Sequence, residues 1–235
     1  MSPRTATTAD LDWMVAALAA RRAPLVEHAP VFWRPAPDAD TKHRDFLEFL
    51  LTDGGAKAYR TEASVLIAAR RGDTWVVDDM SVPTGDWAAG DGRDLWNLLA
   101  AETDGAAVRF VCPTYESDRA AFAQAVGLSV RESWWLLELA TSGGEAGVEV
   151  DLPGATGVTV GAPPVYAPPG PMLFLPESSS EPAAAMPAAV TAAETLGCAG
   201  VVVNVAHGDD GARAALTESG FGRHCDFYTG ALKTL

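Results

Sequence analysis

Leu11, Met14, Val15 and Leu18 fall at i, i+3, i+4 and i+7, which draws one apolar stripe along a helix. Thr8 is placed to cap it, and Arg21 and Arg22 close its last turn. After a passage holding Pro24, Pro30, Pro35 and Pro37, residues 41–52 set Phe46, Leu47, Leu50 and Leu51 on one face of a second helix, which Gly54 and Gly55 stop. The period then shortens to that of a strand. Residues 63–69 and 74–82 are rich in Val, Ile and Trp and flank the turn Arg70, Arg71, Gly72, Asp73, which predicts an antiparallel pair. A loop with Pro83, Gly85, Gly90 and Gly92 leads into a third helix marked by Leu95, Trp96, Leu98 and Leu99. A strand at 107–112, a helix at 117–126 and a strand at 130–139 follow. The order α, α, β, β, α, β, α, β predicts a mixed, mainly antiparallel sheet flanked by helices, an α/β or α+β fold.

Residues 141–170 hold seven Gly and five Pro and read mostly as connection, with one short strand at 157–160. Beyond them the pattern returns as a strand at 172–175, an Ala-rich helix from Pro182 to Leu196, a strand at 200–206, a helix at 210–219 and a strand at 225–228. The stretch between Gly105 and Gly127 matches the one between Gly197 and Gly220 in length and element order, as a diverged duplication would. The expected domains are a complete one at 1–140, a linker at 141–157 and a truncated copy at 158–235.

Composition narrows the function. The chain has 235 residues, 48% of them hydrophobic, and 31 acidic against 17 basic side chains give a net charge of -14. That sign repels phosphate backbones and anionic lipids, so neither nucleic acid nor membrane is an expected partner. No signal-peptide core and no apolar run of ~18 residues stands in the sequence. Cys112, Cys198 and Cys225 are odd in number and widely spaced, with no Cys/His metal pattern, so no metal is expected and a reducing cytoplasm is the simple reading. All seven Trp lie between Trp13 and Trp135, which marks the first part as the one with a working pocket.

The most informative local feature is the predicted strand at 74–82 running into Trp87, Ala88, Ala89, Gly90, Asp91 and Gly92 and then a helix. A helix N-terminus presents backbone N–H groups and the positive end of its dipole, and glycines let a phosphate come close. Neither a Walker sequence nor a Rossmann fingerprint is present. The arrangement resembles the GNAT superfamily of Gcn5-related N-acetyltransferases, whose signature is Arg or Gln, two residues, Gly, one residue, then Gly or Ala, between the fourth strand and third helix. The resemblance implies acetyl-CoA as co-substrate, with Met80, Ser81 and Val82 along its acetyl and pantetheine part. It further implies that Ala89, Gly90, Asp91, Gly92 and Arg93 hold the pyrophosphate, with Arg119 and Phe122 bordering the cofactor. Trp87 stands where the family has Arg or Gln, Asp91 lies between the glycines, and Ala123 and Leu216 replace the usual general-acid tyrosine.

Asp78 and Asp79 alternate faces near the strand end, so one is placed to serve as a base for an ammonium substrate. Tyr115 is a substitute for the missing tyrosine, and Arg93 is a partner for Asp91. Glu132 and Ser133 read as edge or solvent-facing residues, while Trp134 and Trp135 point to opposite faces. His224, Cys225 and Asp226 are consecutive on a strand and cannot converge, so a buried structural cysteine is the better reading. Two functions compete: acetyl transfer from acetyl-CoA to a primary amine of a small molecule, and a non-catalytic ligand-binding or regulatory protein with an altered cofactor loop. The second copy buttresses the first or mediates a homodimer under either.

Overall fold

Val65, Leu66, Ile67 and Ala68 are consecutive and all buried, so the strand that carries them is covered on both faces. Val65 and Ile67 pack with Leu11, Met14 and Leu18 of α1 (Leu11–Arg22) and Leu47 and Leu50 of α2 (Ala39–Thr52). Leu66 and Ala68 pack with Leu95, Trp96 and Leu99 of α3 (Asp91–Thr103) and Phe122 of α4 (Ser117–Ala125). This sandwich is the first of two compact units in a computed structural model that describes residues 2–83, 85–103 and 105–234. It comprises the chain through Pro24, Asp40–Val130 and the stretch from Phe227. Its strands β1 (Arg4–Thr5), β2 (Lys57–Arg60), β3 (Val65–Arg71), β4 (Thr74–Ser81) and β5 (Ala107–Pro113) lie side by side in that order. All these neighbours are antiparallel except β4 and β5, which are parallel.

Local details depart from the sequence reading in two places. Thr7, not Thr8, stands at the helix entry, where its N–H donates to the Asp10 carboxylate at 3.0 Å across a short 3-10 turn. On α2 the buried stripe is His43, Leu47 and Leu50, and Phe46 is turned out, 42% exposed. His43 takes an inward place because it has polar partners there, as described below.

The second unit comprises Leu25–Ala39 and Arg131–Asp226. Here β6 (Ser129–Glu138), β7 (Glu149–Leu152), β8 (Ala155–Val160), β9 (Met172–Leu175), β10 (Gly200–Ala206) and β11 (Gly222–Ala231) follow the order β11, β6, β10, β9, β8, β7. Again one central pair, β9 with β10, is parallel. Helices α5 (Pro182–Thr195) and α6 (Asp210–Glu218) cover one face, with Met186, Ala189 and Leu216 against Val201, Val203 and Val205. Among the described residues no helix pair of this unit covers the other face. Ala29, Val31, Phe32 and Trp33 cover it instead, packing with Met172, Phe174 and Val202. Trp135 belongs to the first of these clusters and Trp134 to the second, as strand alternation predicts.

The units therefore interleave, where the sequence reading places them end to end with boundaries at 140 and 158. The physical reason is the uncovered face just described, which draws the 25–39 segment into the second unit. The expected linker is also more ordered than its Gly and Pro content implies, since β7 and β8 pair antiparallel from Glu149↔Val158 to Leu152↔Ala155. Among the described residues no helix is long and apolar enough to cross a membrane.

His224 on β11 is 1% exposed and stacks with Trp33, ring centroids 5.2 Å apart. Burial pushes its pKa from 6.5 down to about 4. With the folded value below the unfolded one, the unfolded chain binds the extra proton first, and stability is lost as pH falls from about 6.5 toward 4. Urea titrations at pH 7 and pH 5 should differ by about 2 kcal/mol from this group, and His224→Phe should remove that difference.

Candidate active site of the first unit

β4 and β5 pair from Thr74↔Ala107 to Val77↔Phe110, and there the pairing stops. Both strands run on, β4 to Ser81 and β5 to Pro113, so carbonyls that a ladder would satisfy need other donors. Arg119 supplies them. Fully buried on α4, it donates from Nε to the Val111 carbonyl at 2.7 Å, from Nη1 to Met80 at 2.7 Å and from Nη2 to Asp78 at 2.8 Å. Its guanidinium thus bridges the two strands where they part.

A second arginine supports it. Arg21 of α1 grips Glu116 with Nε and Nη2, both at 2.8 Å, and donates from Nη1 to the Asp78 carbonyl at 3.1 Å. Glu116 Oε2 also lies 3.7 Å from Arg119 Nε, so two cations share one carboxylate. Burial, and after it the Arg21 charge, push the Arg119 pKa down to about 10, which leaves it protonated at neutral pH. Burial opposes ionisation of Glu116, but its bonds from Arg21 and the charges of both arginines outweigh that and hold its pKa below the ordinary value. A cleft of about 300 Å³ opens beside this cluster, lined by Ser81, Val82, Trp87, Tyr115 and Ser117 as well as the charged residues.

The two aspartates of β4 have different surroundings. Arg22 Nη1 lies 3.0 Å from His43 Nδ1 and His43 Nε2 lies 3.2 Å from Asp79 Oδ2. Because an arginine only donates, this fixes Nδ1 as acceptor and places the ring proton on Nε2, toward Asp79. Burial works against ionisation of Asp79, but the His43 bond and the charges of Arg21 and Arg22 hold its pKa down. Asp78 is more than a third exposed, so desolvation acts on it only in part; together with the Asp79 charge it still raises the pKa, against Arg21 and Arg119. Asp79 is a fixed charge. Asp78 is the carboxylate suited to accept a proton.

The glycine loop is built for its own packing. A Cβ at Gly92 would run into the Trp87 carbonyl, and one at Gly90 would sit 3.2 Å from the Asp86 carbonyl. The Gly92 N–H already donates to that Asp86 carbonyl at 3.0 Å. Neither glycine is needed for a positive φ, since neither has one. The Asp91 carboxylate accepts from the Thr61 hydroxyl, which answers the need that the sequence reading assigned to Arg93. Arg93 and Ala89 are exposed, and Phe122 is wholly buried against Trp87, Trp96 and Phe110.

The sequence-predicted residues therefore divide. Ser81, Val82 and Tyr115 line one cleft, with Asp78 next to the arginines that border it. Arg119, expected to border the cofactor, lies between the strands, where three carbonyls accept its hydrogen bonds. Arg21, Glu116 and His43 were not anticipated. In the second unit, Ser133 is a correction: it is 3% exposed and its hydroxyl donates to Asp226 Oδ1 at 2.8 Å. Glu132 accepts from Asn204 Nδ2 at 2.9 Å. All three cysteines are buried, and among the described residues no three His, Cys, Asp or Glu side chains gather as a metal site would need.

With α1 and α2 on one face, α3 and α4 on the other and a parallel pair that parts, the arrangement is a GNAT-like fold. Solved structures bear this out across nearly the whole chain. A candidate acetyltransferase from Pyrococcus horikoshii superposes with a TM-score of 0.54 at 12% identity, over 99% of this chain and 89% of its own. A tandem GNAT protein from the clavulanic acid biosynthesis pathway gives 0.52 at 16% identity, over 99% and 98%. A GCN5-related N-acetyltransferase from Sphaerobacter thermophilus gives 0.53 at 12%, over 98% and 95%. No family model and no curated protein matches the sequence.

The site has two different halves. The outer cleft, with the Ser81 and Val82 edge and Ser117, is open and partly polar. The inner part, between Met80 and Val111, is filled by Arg119.

Proposed function

We propose that this chain is an acyl-CoA-dependent N-acyltransferase that passes an acetyl group to the primary amine of a small molecule. The observation that supports it is the end of β4–β5 pairing at Val77↔Phe110, beside a cleft lined by Arg21 and Arg119, the two cations whose charges act on the Asp78 carboxylate. Acetyl-CoA, when bound, supplies the activated acyl group. Ser81 and Val82 are the residues to hold its arm. Asp78 takes the proton from an approaching ammonium, and its raised pKa makes it the stronger base of the pair. Asp79, kept ionised by His43, adds a negative charge that favours a cationic acceptor over a neutral or anionic one. The test is release of CoA thiol from acetyl-CoA across a panel of small primary amines. Turnover with at least one amine is expected; acetyl-CoA binding with no turnover on any would overturn the reading.

A second reading, a GNAT-fold protein that binds a ligand without transferring a group, is favoured by one observation. Ala123 and Leu216, at the places of the family's general-acid tyrosine, carry no proton that either could give to a leaving thiolate.

A further inference from the structure

We infer that Arg119 is a built-in occupant of the inner acyl-donor slot, competing with the pantetheine arm of an acyl-CoA for the backbone of β4 and β5. This rests on the acyltransferase reading for the identity of the slot. The guanidinium spans the gap left where strand pairing ends and satisfies Asp78 and Met80 on one side and Val111 on the other. A pantetheine amide at that depth finds these carbonyls already engaged. The side chain is also held from several directions: the Phe110 ring stands 4.4 Å and the Trp87 ring 5.9 Å from its guanidinium carbon, and Glu116 lies behind it.

The second unit shows what the same position does without such a side chain. Eight residues before Gly127 stands Arg119, and eight residues before Gly220 stands Ala212, which ends at its Cβ. There the end of the parallel pair is bridged from a strand instead, by Asn204 Nδ2 donating to the Pro176 carbonyl at 3.1 Å. The arginine is therefore an addition to the first unit and not a requirement of the fold.

An acyl donor that reaches the inner slot must displace three charge-assisted hydrogen bonds, and its apparent affinity falls by the fraction of molecules in which the slot is open. Removing the side chain should tighten acetyl-CoA binding on the order of a hundredfold. Isothermal titration of the full chain, wild type, Arg119→Ala and Arg119→Lys, is the test, with acetyl-CoA and with adenosine 3′,5′-bisphosphate, which lacks the arm. The expected result is tightening for acetyl-CoA in the alanine variant and a smaller gain for lysine. The bisphosphate should bind no tighter, since a cation has been lost. Equal or weaker acetyl-CoA binding in Arg119→Ala, or an equal gain for the bisphosphate, would overturn the inference. Should the alanine variant not fold, the lysine variant is judged by the same criterion. Tight binding by Arg119→Ala with no amine acetylated removes the transferase reading and leaves the occupied slot standing. Wild-type turnover with acetyl-CoA binding as tight as that of the variants does the reverse.

Discussion

Glu116→Ala is expected to destabilise the protein by about 3–5 kcal/mol, the range for leaving a buried charge without its partner. Arg21 and Arg119 are 10% and 0% exposed at their side chains, and Glu116 is the carboxylate between them. Its removal breaks two 2.8 Å bonds from Arg21 and leaves two like charges facing each other. Glu116→Gln keeps one acceptor oxygen and should lose less. Replacing Arg21 and Glu116 together, by Met and Leu, should cost less than Glu116→Ala alone, because the unpaired Arg21 charge is removed with its partner. Urea unfolding of the three variants at pH 7 measures the order. The pH dependence has a definite sign. Glu116 has a folded pKa below its unfolded value of 4.5, so its stabilisation is complete above that pH and is lost as pH falls through the folded value.

Asp78→Asn should lower the rate of amine acetylation by about 10²–10⁴-fold, the usual worth of a positioned general base. The pH profile carries more information than the rate. In the wild type the rate should rise with pH through the raised pKa of Asp78 and then level, and in Asp78→Asn that acidic limb should vanish. Asp79→Asn should keep the limb and move it to lower pH, since the Asp79 charge is one cause of the raised value. Identical profiles for the wild type and Asp78→Asn would remove Asp78 from the reaction.

The first unit was largely legible from the sequence because its elements are long enough to show their period. α1 displays its stripe, and β3 is apolar from Val65 to Ala68 because both its faces are covered there. What escaped were features without a period. β1 and β2 have two and four residues. The covering of the second unit comes from Ala29, Val31, Phe32 and Trp33, irregularly spaced among prolines. At the site, Gly90 and Gly92 were conspicuous for phosphate approach, but the groups that come close to them are Asp86 and Trp87 of their own loop. Arg119 was readable in one respect. Arg119, Phe122, Ala123 and Val126 fall at i, i+3, i+4 and i+7, so the arginine sits on the buried stripe of its helix, and a charge there must meet partners inside.

The return of the chain to the first unit bears on how a shortened protein would fold. Tyr228 and Leu232, near the C-terminus, belong to the core of the first unit, and Trp96 Nε1 donates to the Lys233 carbonyl at 3.1 Å. A chain cut short before residue 227 would form a first unit stripped of these residues. The stretch from Phe227 follows the whole of the second unit in the chain, so the first unit cannot complete its core without it.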